Sequence, residues 1–144
     1  MYRHFADLDE LFIACMGHWN GANPGPDLDA WMAIEPLEVR ARRAFGDLYR
    51  WYEAREEELY PIYRDWSAMP GSAQRTMAAQ SDTLAAAIVA QTGDDGTTGP
   101  NHVRAAVARH LVDFWTWRSL AIVGGLEPDE VADAAVAMLL ATDE

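Results

Sequence analysis

Cys15 and His18 stand three residues apart, a spacing that puts two side chains on one face of a helix, and both are ligands that zinc accepts. His4, His102 and His110 are the remaining histidines, and there is no second cysteine. A protein zinc site needs three or four ligands, yet the chain has no His-x-x-x-His, no Glu-x-x-His and no cysteine pair. A small metal-dependent enzyme built on Cys15, His18 and His110 is therefore the rival reading, with structural roles for these residues preferred. No Ser-His-Asp order, phosphate-cradling glycine loop or paired carboxylates can be placed either, so the sequence assigns no catalytic residue and no cofactor.

The aromatic residues are more informative. Phe45, Tyr49, Tyr52, Tyr63, Trp66, Phe114 and Trp117 fall on apolar stripes at helical spacing, and several carry polar tips. Core packing accounts for most of them. So many flat side chains in a small helical protein also outline a mostly apolar cavity with a few hydroxyls, the usual composition of a small-molecule site. The expected pocket lies between the helices of Phe45–Tyr52, Met77–Ile88 and His110–Trp117. Its ligand-binding residues are Phe45, Tyr49, Tyr52, Trp66, Met77, His110, Phe114 and Trp117, and its occupant is a small apolar or aromatic molecule.

The elements that would position this pocket are all helical. Asn101–Gly125 opens on Asn after Pro100 and closes on two glycines, and it is apolar almost all round, which marks a central helix. Its Trp115 and Trp117 point to nearly opposite sides, so one face can pack the domain and another a second subunit. Before it, Asp7–Asn20 begins with Asp7 and Glu10 at capping-box spacing and carries Leu8, Phe12, Cys15 and Trp19 on one stripe. A Pro- and Gly-rich loop, Asn20–Asp29, precedes a short helical turn near Trp31. Leu37 to Leu59 then reads as one long helix after Pro36, with a break near Tyr60 because Pro61 cannot continue the hydrogen-bond ladder. Arg40, Arg42 and Arg43 in its first turns are expected to pair with carboxylates. Ser72 is expected to cap a helix to about Gln91, Thr92–Pro100 to be a loop, and Pro128 to start a last helix over Asp129–Ala141. With no strand-like alternation, the expected class is all-α, a bundle of about six helices.

Half of the 144 residues are apolar, which gives enough material for one core. All eleven basic residues are arginine, and against 23 acidic residues they leave a formal charge of −12. That charge repels nucleic acid and anionic membranes. No apolar run reaches the length of a membrane span, no signal-peptide core is visible, and the lone cysteine suits a reducing compartment; a cytoplasmic protein with no membrane partner is expected. The apolar faces of Asn101–Val123 and of the last helix predict a homodimer, with Leu111, Trp115, Arg118, Ile122, Val131, Ala135 and Met138 at its interface.

A series of short matches runs the length of the chain: Tyr2-Arg3-His4-Phe5, then Leu11-Phe12 and Cys15, then Arg43, Phe45, Leu48-Tyr49 and Tyr52, then Arg64-Asp65. Asp113-Phe114, Thr116-Trp117-Arg118-Ser119-Leu120 and Gly125-Leu126 complete it. In this order they resemble the tetracycline-repressor (TetR) type of transcriptional regulator. The resemblance implies that residues 1–6 are the end of a recognition helix. It makes 7–144 a ligand-binding and dimerisation domain, whose last long helices form a dimeric four-helix bundle. It further implies a repressor in which a bound effector shifts the helix of Asp7–Asn20 and so the spacing of two DNA-reading heads. The helix-turn-helix of that family has no counterpart in this sequence. The expectation is an effector-binding domain that contacts DNA only through a missing amino-terminal part, not an enzyme. A helical interaction module is the remaining alternative.

Overall fold

Ala41, Ala44, Phe45, Leu48, Tyr49 and Tyr52 recur at three- and four-residue steps and are all buried, so one helix carries a continuous core face. This helix is the third of eight in the computed structural model, which describes residues 2–90 and 101–143. In chain order they are α1 (Tyr2–Ala22), α2 (Leu28–Met32), α3 (Leu37–Ala54) and α4 (Glu56–Arg64), then α5 (Gly71–Val89), α6 (Asn101–Leu111), α7 (Phe114–Arg118) and α8 (Pro128–Leu140). Single 3-10 turns cover Trp66–Ala68 and Ala141–Asp143, and no strand occurs among the described residues. The fold is an all-α helical bundle. α3 packs chiefly on α8, and α5 on α6.

The junctions are held by identifiable residues. Asp27 caps α2 by accepting from the Ala30 N–H, and α2 drives Trp31 into the core with no exposed surface. The Trp31 indole N–H donates to Asp47 at 3.0 Å, which removes the cost of burying it. Pro36 stands just outside α3 as its N-cap residue. At the start of α8 the Glu130 carboxylate accepts from the Glu127 N–H at 2.9 Å, with Pro128 at the first helical position.

Four sequence expectations change. α1 begins at Tyr2, so Asp7 does not start a helix; the side chains of residues 2–9 lie outside the described set. The long helix from Leu37 breaks at Arg55, not near Tyr60, and α4 continues through Pro61. Arg55 stabilises that break itself: its side chain donates to the Trp51 carbonyl freed there and to Asn23. Pro70, with no side-chain bond, takes the capping position expected of Ser72. The Thr92–Pro100 loop lies outside the described residues.

The fourth change is the largest. Asn101–Gly125 is not one helix: α6 ends at Leu111, Asp113 starts α7 by accepting from the Trp115 N–H at 3.0 Å, and a π-helical turn follows at Ser119–Val123. Three hydroxyls satisfy the carbonyls that the break releases. Thr116 donates to His110 at 2.7 Å, Tyr49 to Leu111 at 2.7 Å and Tyr52 to Val112 at 2.6 Å. The double glycine still ends the segment. Gly124 donates to Ser119, and a Cβ there would sit 2.7 Å from the Leu120 carbonyl oxygen, while Gly125 takes the left-handed conformation at φ +70°.

Candidate functional site

A cleft of about 600 Å³ opens between α1, α3, α4 and α5. α1 contributes Phe12, Met16 and Trp19, positions separated by steps of four and three, so one edge of a single helix forms a wall, and Asn23 follows just past its end. α3 supplies Leu48, Trp51 and Tyr52, and the kinked α4 supplies Leu59, Ile62 and Tyr63. Met77, Gln80, Ser81 and Leu84 of α5 close the far side. No lining residue carries a formal charge.

The aromatic walls are locked to one another. Trp19 meets Trp51 edge to face with ring centroids 5.7 Å apart, and Trp51 meets Tyr52 at 5.8 Å. The Trp19 indole N–H donates to Glu58 at 2.7 Å and that of Trp51 to the Pro24 carbonyl at 2.9 Å. Arg55 lies over the Trp51 ring at 4.6 Å. Tyr63 is stacked between Phe114, at 4.7 Å, and Trp66, at 6.1 Å, both nearly parallel to it. Burial, with the nearby Asp113 carboxylate adding to it, pushes the Tyr63 hydroxyl up to about 12, so it is a neutral donor at physiological pH. Burial also raises Tyr49 and Tyr52, whose hydroxyls are the ones held by the helix break.

Of the eight residues expected to bind a ligand, the cleft brings together Tyr52 and Met77. Phe45 and Phe114 have no exposed surface, and Tyr49 and Trp117 are also buried in the core, so these four pack the bundle behind the wall. Trp66 backs Tyr63. His110 is exposed, with Thr116 Oγ1 3.5 Å from its Nε2. The third wall is thus α1 with α4, not His110–Trp117, because the break at Val112 turns α7 away from the course of a continuous helix.

The residues that sequence reasoning missed were visible in part. Trp19 and Phe12 were on the predicted stripe of α1, but its inner edge runs through Met16 and leaves Cys15 exposed. Trp51, on the polar-looking flank of α3, gave no such signal.

The residues expected at a dimer interface divide as well. Leu111, Val131 and Ala135 have no exposed surface and belong to the core of their own chain. Trp115, Ile122 and Met138 keep 39%, 49% and 41% of their surface exposed, beside Val123 at 76%. Arg118 joins α7 to α4, pairing with Glu56 at 3.1 Å and lying 4.3 Å over the Tyr60 ring. Among the described residues no three His, Cys, Asp or Glu side chains come together as a metal site would require, and Cys15, His18 and His110 are all exposed. No described helix is long and apolar enough to cross a membrane.

No family model matches this chain, and neither does any curated protein or solved structure.

Proposed function

We propose that this bundle binds a small, largely apolar molecule in the cleft between α1, α3, α4 and α5, and that it is the effector-binding and dimerisation domain of a TetR-like transcriptional regulator, a repressor. The observation that carries the reading is the cleft itself: about 600 Å³, walled by interlocked aromatics, without a charged lining residue. That volume and lining fall within the usual range of small-molecule sites. The function is binding rather than catalysis, and Trp19, Trp51 and Tyr52 engage their polar tips in structural hydrogen bonds. α1 forms one wall, so an occupant that favours one position of α1 over another would shift it, and an effector acts on reading heads in this way. Trp115, Ile122, Val123 and Met138 supply exposed apolar surface for the second subunit.

The test is a melting curve of the purified chain with a panel of uncharged aromatic compounds, paired with light scattering. A true ligand at a hundred times its Kd should stabilise the fold by about 2.7 kcal/mol. Scattering should report twice the mass of one chain. A monomer at micromolar concentration that no compound stabilises would overturn the proposal, and a dimer that no compound stabilises would favour a helical interaction module.

A further inference from the structure

We infer that the cleft selects an uncharged, planar apolar molecule bearing a hydrogen-bond acceptor such as a ketone or lactone oxygen, and that the Tyr63 hydroxyl is the group that recognises this acceptor. The inference rests on the effector-binding reading and narrows its ligand.

The first argument is charge. Charged residues make up 24% of the chain, yet none of the residues lining the cleft is Asp, Glu, Lys, Arg or His. A carboxylate or ammonium group entering it would leave water without a counter-charge on the wall, and an unpaired charge in apolar surroundings is strongly disfavoured. The ionic groups around it are engaged elsewhere: Glu58 holds the Trp19 indole, Arg55 holds Asn23 and the Trp51 carbonyl, Asp113 beside Tyr63 caps α7, and Arg109 pairs with Asp82.

The second argument is the inventory of polar tips. Trp19, Trp51, Tyr52, Thr76 and Thr83 all reach into the lining, and each donates to a partner within the protein. Tyr63 differs. Its hydroxyl has no hydrogen-bond partner among the described residues, and it is not sealed in the core, because among those residues Arg104 Nε is the one fully buried side-chain polar atom without a partner. Its ring is fixed by stacking on Phe114 and Trp66, so the hydroxyl is pre-positioned and little freedom is lost when it binds. Gln80, also without a bonded partner, is exposed and free to hydrate. A protonated phenol donates one hydrogen bond. Its best partner in an apolar cleft is an acceptor oxygen on a neutral molecule.

Four probes of one shape test this: 2-acetylnaphthalene (neutral, with an acceptor), 2-ethylnaphthalene (neutral, without one), 2-naphthoate (anionic) and 2-naphthylmethylammonium (cationic). Each is titrated into the full chain and its Tyr63→Phe variant while tryptophan emission is followed. The ketone should bind tightest, with both ions weaker by about tenfold or more. Tyr63→Phe should weaken the ketone about two- to tenfold, the range of one neutral hydrogen bond, and leave the hydrocarbon within error. Equal or tighter binding of either ion, or a ketone affinity untouched by Tyr63→Phe in a variant that melts like the parent, overturns this inference and leaves the effector-binding reading standing. Binding of none of the four up to their solubility limits contradicts both.

Discussion

The Tyr52 hydroxyl donates to the Val112 carbonyl at 2.6 Å, across sixty residues of sequence, from the cleft wall to the interruption of the helix that would otherwise run from Asn101 to Gly125. One side chain thus faces the candidate ligand and holds the break between α6 and α7. Tyr49, one turn earlier on α3, does the same for Leu111.

Tyr52→Phe removes this donor and leaves a buried carbonyl unpaired, so it should destabilise the chain by about 1–3 kcal/mol in urea unfolding. Tyr49→Phe should behave similarly. The double variant should depart from additivity, because both bonds hold one interruption. Losses near zero for both single variants would mean that the break is fixed by Asp113 and Thr116 alone.

The same tyrosines predict an alkaline limit. Burial holds Tyr49 and Tyr52 well above the ordinary tyrosine value, and burial together with Asp113 holds Tyr63 near 12. A group whose folded value is raised favours the fold fully below its unfolded value of about 10, and the contribution is lost as pH rises through the folded value. Stability should therefore fall steeply above about pH 10. In a tyrosinate absorbance titration, three of the five tyrosines should ionise only as helicity is lost. Free titration of all five in a chain that stays helical would contradict the burial described.

Arg40 is the other buried anchor. It is 3% exposed, and its guanidinium donates to the carbonyls of Met32, the last residue of α2, and of Ile34 just beyond it, and to those of Ile88 and Ala90 at the end of α5. A cation at two helix C-termini satisfies their free carbonyls and opposes the negative ends of their dipoles. Arg40→Met keeps the stem and removes these bonds, and should cost at least about 3 kcal/mol. Arg42→Met should cost under about 1 kcal/mol, since Arg42 pairs with Glu38 and Asp133 at the surface. Equal losses for the two variants would refute the anchoring role.

The helical class and the ends of α8 could be read from periodicity and proline, because amphipathic stripes and caps are local signals. What escaped was non-local. Arg40 looked like its neighbours Arg42 and Arg43 because nothing in the first turn of a helix reveals that two other helix ends converge on it. Asp113 is a good N-cap residue by type, yet the apolar run around it masked the break, and two of the three hydroxyls that satisfy it, those of Tyr49 and Tyr52, come from far away in sequence. The cleft followed the break: once α7 turned, Phe45, Phe114 and Trp117 became packing, and the wall passed to Met16, Trp19 and Trp51. Met77 was found because it lies on the inward stripe of α5 under either arrangement.

The central claim is that a small neutral molecule occupies the cleft, and the methionines report on it directly. Met16 and Met77 line the cleft, whereas Met32 and Met138 are exposed elsewhere. In methyl spectra of the chain labelled with ¹³C at methionine methyls, titration with 2-acetylnaphthalene should shift Met16 and Met77 together, with ring-current perturbations, and leave Met32 and Met138 in place. Shifts confined to Met32 or Met138, or no shift at all at saturating probe, would contradict the account.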